Sequence, residues 1–500
     1  MKKKLFLFAI VISIVTKAQI HVGSGQTYAT LGVAVSAKVI SAGDTVYIHA
    51  GTYHGGEWIA DSLQGTPSQW ITIRPYKNDS VSITAQWTFL KAHYLKITGL
   101  NWDGTDVSNI GHMLFFNYNY NCFGNLTNII VDNCKFMNDM QPTLVSYAMI
   151  KFTGTDTFQV LNCTFKNSTN IGDGISSNGG HNGTIKNCRF ENLNCWASHC
   201  KGGSENITYE KNMILNCAGG GIVMGGDTGG PYYCTPGPTY EATGIHVYSN
   251  ITVGGSFGIR LASCSNSDVI NNTCYNMTSF AMRLLWESSN SPNFINNNIY
   301  NNIFASNDPY DCYINASAVD FSTFYFKNNL FWSLNSTITA PNFEWGTIPS
   351  LNVSGSIISD PKFVDAANND FSLQATSPAK GAAFAVGFPY TDYNGDNFNW
   401  STRSIGAIEY AGLIGIKDYE DANDISVYPN PSNGIFNISW TGAGSIKKLH
   451  VYNVMGQLVY SEVPSTYLIK LDLNNVMKGL YKVVLTTNKG TQTNKTLAIN

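Results

Sequence analysis

Short runs in which apolar and polar residues alternate recur along most of the chain and are separated by glycine, asparagine and serine. Three of these runs, VDNCKF, VLNCTF and IKNCRF, share an asparagine followed three residues later by a phenylalanine. The repeat recurs at steps of 29, 25, 25, 38 and 22 residues, in the segments 133–136, 162–165, 187–190, 212–215, 250–253 and 272–275. Alternation predicts strands, and a repeat of this length with three short strands is typical of a β-solenoid. The pattern therefore predicts an all-β fold in which equivalent residues of successive coils stack.

The repeated asparagines also predict which side chains share a column. Lys151, Ser176 and Lys201 each lie 11 residues before an asparagine of the repeat. Neighbouring coils of a solenoid are about 4.8 Å apart, so we expect these three residues to stack, and the asparagines 133, 162 and 187 to stack in one turn. Ile150 and Phe152 flank Lys151 and would point inward, which places the lysines on the outer surface.

Two arginines extend this column on later coils. Arg260 in GIRLASC and Arg283 in AMRLLWES are 23 residues apart and are flanked by apolar residues, and the coil before them offers Val223 at the same place. Four cations, Lys151, Lys201, Arg260 and Arg283, would then form a row on one sheet, with His199 beside them. Such a row repels itself unless anionic groups lie near it, which favours a binding site for an acidic polymer. The alternative is a set of solvated ion pairs of little energetic weight.

Composition limits the classes of function. Charged residues make up 13% of the chain and its net charge is −3, so the molecule as a whole does not favour nucleic acid as a partner. Any polyanion would bind to a local cluster such as the row of cations. We expect a monomer.

The cysteines divide into two groups. Cys134, Cys163 and Cys188 recur at one place in the repeat, which predicts small buried apolar residues with free thiols. Cys195 with Cys200, and Cys234 with Cys264, are candidate disulfides.

The chain opens with three lysines and an apolar run that ends at Thr16-Lys17-Ala18, a pattern typical of a secretory signal peptide over residues 1–18. SAGDTVYIHAGTYHGGEWI, WITIRPYKNDSVSITA and LKAHYLKITGLNWDG resemble the opening of secreted right-handed parallel β-helix proteins, a superfamily that includes pectate lyases, chondroitinase B and alginate lyases. SDPKFVDAANNDFSLQATSPAKGAA and RSIGAIEY resemble the way such helices close. The resemblance implies a right-handed parallel β-helix over residues 19–411.

Residues 412–424 are predicted to be a polar linker, and residues 425–500 a separate small β-sandwich. VYPNPSNGIF resembles the start of the C-terminal sorting domain of type IX secretion substrates. That resemblance implies export across the outer membrane by the type IX machinery, followed by release or attachment at the surface. A carbohydrate-binding sandwich is the alternative.

The 38-residue step contains an excursion, DTGGPYYCTPGPTYEAT, over residues 227–243. Long excursions from a rigid scaffold often carry function. Its tyrosines Tyr232, Tyr233 and Tyr240 would stack on sugar rings, although a loop that merely covers the sheet is an equal alternative. The acidic residues near the row of cations are Asp173, Asp227, Glu241 and Glu287, and calcium at Asp227 and Glu241 is conceivable.

SHCKGGSENITYEKNMILNC resembles the segment that carries the catalytic lysine in chondroitinase-B-like and alginate lyases. The resemblance implies β-elimination on a uronate-containing polysaccharide with Lys201 as the base. Neighbouring cations would depress the pKa of such a lysine. Arg260 or Arg283 would hold the uronate carboxylate, with Tyr240 near the leaving oxygen. Met224 stands where those lyases have an arginine, which is a departure from the pattern.

Two other classes of function stay open at this point. A glycoside hydrolase would use two carboxylates, with Asp173, Asp227 and Glu287 as candidates. A surface adhesin would need only the cations and the tyrosines. The candidate substrate-binding residues are Lys151, His199, Asp227, Tyr232, Tyr233 and Glu287.

Overall fold

The computed structural model describes most of the chain from Gln19 to Asn500 and divides it into two units, Met1–Ala411 and Gly412–Asn500. The described residues are 19–60, 63–105, 111–117, 126–139, 148–169, 172–229, 240–287, 294–307, 312–315, 321–341, 352–399, 401–410, 425–440, 445–453, 458–464, 466–488 and 492–500. The predicted signal peptide, the linker, Tyr232 and Tyr233 lie outside these residues. Among the described residues, no helix is long and apolar enough to cross a membrane.

The first unit is a parallel β-helix with three long sheets, as the repeat predicts. The first sheet has a main path of Gln19–Val22, Thr45–Ile48, Ile71–Pro75, Ala92–Thr98, Leu126–Asp132, Asp156–Leu161, His181–Lys186, Ser204–Glu210, His246–Tyr248, Asp268–Ile270, Asn297–Tyr300, Phe324–Lys327 and Val353–Ser354, with Leu63–Gln64, Ala242–Thr243 and Cys264–Ser265 beside it. The second sheet is Gly51–Tyr53, Val81–Ile83, Asn101–Asp103, Lys135–Asp139, Thr164–Ser168, Arg189–Glu191, Met213–Leu215, Ile251–Val253, Thr273–Met277, Ile303–Ser306, Leu330–Ser333 and Ile357–Ile358. The third sheet is Glu57–Ile59, Trp87–Phe89, His112–Phe116, Ala148–Thr153, Asp173–Asn178, Trp196–Lys201, Gly220–Gly225, Phe257–Ala262, Phe280–Leu285 and Cys312–Asn315.

A few short elements accompany the sheets. They are the helix Leu31–Ser36, the 3₁₀ turns Phe321–Thr323 and Ala366–Asn368, and an antiparallel hairpin of Phe363–Asp365 with Asp370–Leu373. The Thr30 hydroxyl accepts a hydrogen bond from the Val33 amide and caps the helix.

The alternating apolar residues stack inside the solenoid as continuous columns. Phe136, Phe165 and Phe190 lie ring over ring, with centroids 5.1 and 4.7 Å apart. Cys134, Cys163 and Cys188 are buried free thiols in register beside them, as predicted. Cys195, Cys200 and Cys264 are also free. The predicted Cys195–Cys200 disulfide is therefore wrong, and Cys264 has no disulfide partner, while Cys234 lies outside the described residues.

The asparagines of the repeat divide between two columns, although the sequence suggested one. Asn133, Asn162 and Asn187 stack in one turn with a left-handed backbone, as predicted. Asn212 occupies the register of Cys188 instead, one position later, because Lys186 pairs with Glu210 and Arg189 with Met213. From there a second, buried column runs along the solenoid through the amide hydrogen bonds of Asn212, Asn250, Asn272, Asn302 and Asn329. Each of these side chains satisfies main-chain groups of a buried turn, which apolar residues could not do.

The second unit is built from antiparallel strands around its own apolar core. One sheet contains Ile425–Tyr428, Ile435–Trp440 and Leu468–Asp472. The other contains Ile446–Asn453, Leu458–Glu462, Gly479–Thr487 and Gln492–Ile499. Trp440, Leu471 and Val483 are among the buried residues between them.

Candidate functional site

The outer face of the third sheet carries a column of aligned side chains, which we call the third-sheet column. Parallel pairing aligns, in order, Trp58, Thr88, Phe115, Lys151, Ser176, His199, Val223, Arg260 and Arg283. Lys151, Val223, Arg260 and Arg283 therefore share a column, as the sequence predicted.

Lys201 is not in this column, and its predicted stacking on Lys151 and Ser176 is wrong. It pairs with Asn178, while His199 pairs with Ser176. Two one-residue offsets explain the error. Asn212, from which Lys201 was counted, sits one position later than the register of Asn187, and the turn after Lys201 is one residue longer than the turn after Asn178. Together the two offsets move Lys201 two residues along its strand, to the position that pairs with Asn178. Because alternate residues of a strand share a face, Lys201 lies on the same face as Lys151, in the adjacent column.

Lys151 is held by the next strand. Its Nζ donates hydrogen bonds to the Ser176 hydroxyl at 2.8 Å and to the side-chain amide oxygen of Asn178 at 3.0 Å. The pKa of Lys151 is lowered to about 8, mainly by burial, against the opposing effect of the Asp173 carboxylate and with a smaller lowering by the Lys201 charge. A lysine with this pKa is partly neutral near pH 8.

His199 lies between a carboxylate and a main-chain carbonyl. Its Nε2 is 2.7 Å from the Gly225 carbonyl oxygen, and its Nδ1 is 3.7 Å from an Asp173 oxygen. Burial lowers the pKa of His199 against the opposing effect of Asp173, and the Lys201 charge lowers it further. The contact between Asp173 and His199 was not predicted, because Asp173 lies on a strand separated from His199 by a turn of irregular length.

Gly226 leaves space for two of these side chains. A Cβ at this position would lie 3.2 Å from His199 Nε2 and 3.3 Å from Lys201 Cδ. A larger residue here would push against both groups. The glycine at this position therefore allows His199 and Lys201 to pack beneath the strand end.

The arginines are balanced by a carboxylate and by aromatic rings. Arg260 is 8% exposed and forms a close ion pair with Glu287. Its guanidinium lies over the Trp196 ring at 5.4 Å, and that ring meets His199 edge-on at 4.9 Å. Arg283 lies over Phe257 at 5.7 Å. Cation–π contacts of this kind reduce the repulsion between stacked arginines.

The remaining predicted residues are less directly involved. The Tyr240 hydroxyl donates to Glu205 at 2.8 Å. Burial raises the pKa of Tyr240, and Glu205 raises it further, so Tyr240 is held as a neutral phenol facing the first sheet. Asp227 is exposed.

Glu241 is fully buried and accepts hydrogen bonds from the Gly202 amide, the Thr228 amide and the Thr228 hydroxyl. Its carboxylate is therefore engaged by protein donors. Within the described part of the chain, no group of three or more His, Cys, Asp or Glu side chains could hold a metal ion. We therefore propose no calcium site at Asp227 and Glu241.

Comparison with known families identifies the second unit. Residues 426–500 match the family model of the secretion system C-terminal sorting domain. The protein thus carries a type IX sorting tail, which indicates export across the outer membrane to the cell surface or beyond. No curated protein matches the chain.

Solved structures of similar fold include polysaccharide-active enzymes. A pectate lyase, Pel9A, is 12% identical with a TM-score of 0.47, covering 79% of this chain and 97% of its own. A GH136 lacto-N-biosidase from Eubacterium ramulus is 12% identical with a TM-score of 0.47, covering 68% and 67%. A PL6 family alginate lyase, AlyGC, is 13% identical with a TM-score of 0.41, covering 83% and 60%. At such identities and scores the likeness assigns no activity to this chain.

Proposed function

We propose that this secreted protein cleaves an acidic, uronate-containing polysaccharide by β-elimination on the outer face of the third sheet. One observation carries the proposal: Lys151, with its pKa lowered to about 8, lies among Lys201, His199 and Asp173 on a face that also presents Arg260. A base that is partly neutral near pH 8, with a cation beside it, is what proton abstraction next to a carboxylate needs.

In this proposal Lys151 is the base and Lys201 neutralises the carboxylate. Lys151 takes the proton α to the uronate carboxylate, and the electron pair forms the new double bond as the glycosidic C–O bond breaks. The proton on Lys151 can then pass to the leaving oxygen, so the products are an unsaturated uronate end and a new reducing end.

From the sequence we expected Arg260 or Arg283 to hold the uronate carboxylate. We assign this role to Lys201 instead, for a geometric reason. Lys151 bonds to Asn178, which is the partner of Lys201 in the adjacent column. Arg260 lies four strands beyond Lys151 in the column, which is about 19 Å along the solenoid at the usual strand spacing. Arg260 and Arg283 would therefore hold the carboxylates of other units of the chain.

The class of reaction is tested by incubating the mature protein with a panel of acidic polysaccharides. Ultraviolet absorbance of the unsaturated product and the number of reducing ends are followed together. Equal growth of both signals supports β-elimination. Reducing ends without absorbance would mean hydrolysis, with Asp173 and Glu287 as the first carboxylates to substitute. Binding with neither signal would mean an adhesin.

The choice of base is tested by two matched substitutions. Arginine keeps the positive charge but is not deprotonated in proteins. We expect Lys151→Arg to abolish the unsaturated product and Lys201→Arg to retain part of the activity. The opposite result would return the role of base to Lys201.

A further inference from the structure

The part of the third-sheet column that precedes Lys151 is aromatic and uncharged. It consists of Trp58, Thr88 and Phe115. Trp58 is 61% exposed, although large apolar side chains lose free energy in contact with water. Phe115 is partly buried at the surface and aligns directly with Lys151. The cations of the column begin only at Lys151.

Both aromatic residues lie on hydrogen-bonded strands of the third sheet. The strand of Trp58 is anchored by Ile59, which is 1% exposed, and by Glu57, whose carboxylate accepts a hydrogen bond from the Gly32 amide at 2.9 Å. The Phe115 ring packs on His112 at 4.6 Å. Burial lowers the pKa of His112 to about 3, with a further contribution from the Lys151 charge, so His112 adds no charge at neutral pH.

The spacing of the column suits a row of sugar rings. Phe115 lies one strand from Lys151, about 5 Å away, and Trp58 lies three strands away, about 14 Å. An extended polysaccharide that follows the solenoid axis would place sugar rings over both aromatic residues. The face of an aromatic ring carries negative potential and disfavours a carboxylate above it.

We propose that Trp58 and Phe115 are stacking subsites for uncharged sugar units, and that the substrate is a polysaccharide whose uronates are separated by neutral sugars. This inference rests on the proposed function, since it takes Lys151 and Lys201 as the point of cleavage. A continuous polyuronate would set carboxylates over the faces of Trp58 and Phe115, where the negative potential of the rings disfavours them. A mixed polymer meets rings at one end of the column and cations at the other.

The test uses two probes, hyaluronan, in which uronate alternates with a neutral amino sugar, and polygalacturonate, a continuous polyuronate. Retardation of the full-length protein in native gels containing each polymer gives its affinity without requiring cleavage. We expect stronger retardation by hyaluronan, and about a tenfold loss of that affinity in Trp58→Ala, as for an aromatic side chain that the bound polymer covers. Phe388→Ala removes a comparably exposed ring elsewhere, 51% exposed, and should change neither affinity.

Three results would overturn the inference: Trp58→Ala binding hyaluronan like the wild type, stronger retardation by polygalacturonate, or retardation by neither polymer. Failure of the proposed function is a separate result. Retardation that depends on Trp58 without any unsaturated product would leave the subsites in place and remove only the β-elimination.

Discussion

Replacing Lys151 by methionine should make the protein more stable at neutral pH while abolishing its activity. An ordinary lysine has a pKa of 10.5, and burial lowers that of Lys151 to about 8. A difference of this size corresponds to about 3 kcal/mol of unfavourable free energy for the buried ammonium. The side chain is only partly buried, so solvent screening lowers this unfavourable free energy to as little as about 1.5 kcal/mol. Losing the hydrogen bonds to Ser176 and Asn178 offsets about 1 kcal/mol. The net expectation is a gain of about 0.5 to 2 kcal/mol.

The pH dependence separates this explanation from simple packing. Because the folded pKa lies below the unfolded one, the wild type is penalised fully below pH 8, and the penalty disappears as pH rises to 10.5. The advantage of Lys151→Met should therefore be largest at pH 7 and should shrink or reverse by pH 10.

Urea unfolding followed by circular dichroism at pH 7 and pH 10 measures the difference. Lys166→Met is the control, because that lysine pairs with Glu191 at the surface at 3.0 Å; it should show little change at either pH. A Lys151→Met protein that is less stable than the wild type at pH 7, or equally shifted at both pH values, would refute the reasoning.

Three further outcomes are expected. The turnover rate should rise about tenfold per pH unit below pH 8 and level off above it, because Lys151 must be neutral to act; initial rates from pH 6 to pH 10 check this, and a rate that falls over that range would contradict it. Asn272→Ala should destabilise the solenoid by about 2 to 4 kcal/mol, since it removes the side-chain acceptor of the buried Asn250 main-chain amide and the side-chain donor to the Val247 carbonyl oxygen. Asn162→Ala, at an exposed asparagine, should cost less; equal losses in urea unfolding would argue against the buried column. Removing residues 426–500 should leave fold and activity intact but keep the protein inside the producing cell, and normal delivery of the shortened chain, detected in culture medium and cell fractions, would contradict the sorting role.

Prediction from the sequence succeeded where the repeat is strict and failed where the repeat is interrupted. Alternation and the asparagine repeat predicted the solenoid, the free thiols and the alignment of Arg260 with Arg283. The count that placed Lys201 over Ser176 failed because an extra residue in the turn after Lys201 and the later register of Asn212 together shift the alignment by two positions. The second limit on prediction from the sequence was the electrostatics of the site. A lysine's pKa depends on its burial and on Asp173 across a strand, and neither can be read from the order of charged residues along the chain.

The long excursion over residues 227–243 bears on the site through the residues at its two ends, Thr228 and Glu241. Lys201 ends a strand and is followed by Gly202 and Gly203, whose φ angles of 63° and 89° are ones that side chains disfavour. This turn is held by Glu241 at the end of the excursion: its carboxylate binds the Gly202 amide at 3.0 Å, and its main-chain oxygen binds the Gly203 amide at 3.0 Å. The same carboxylate binds Thr228 at the start of the excursion. The Glu241 carboxylate thus joins the two ends of the excursion and also fixes the turn after Lys201. In the sequence this insertion looks like a loop that only covers the sheet. In the structure its ends also fix the position of Lys201, the cation that the proposed chemistry requires.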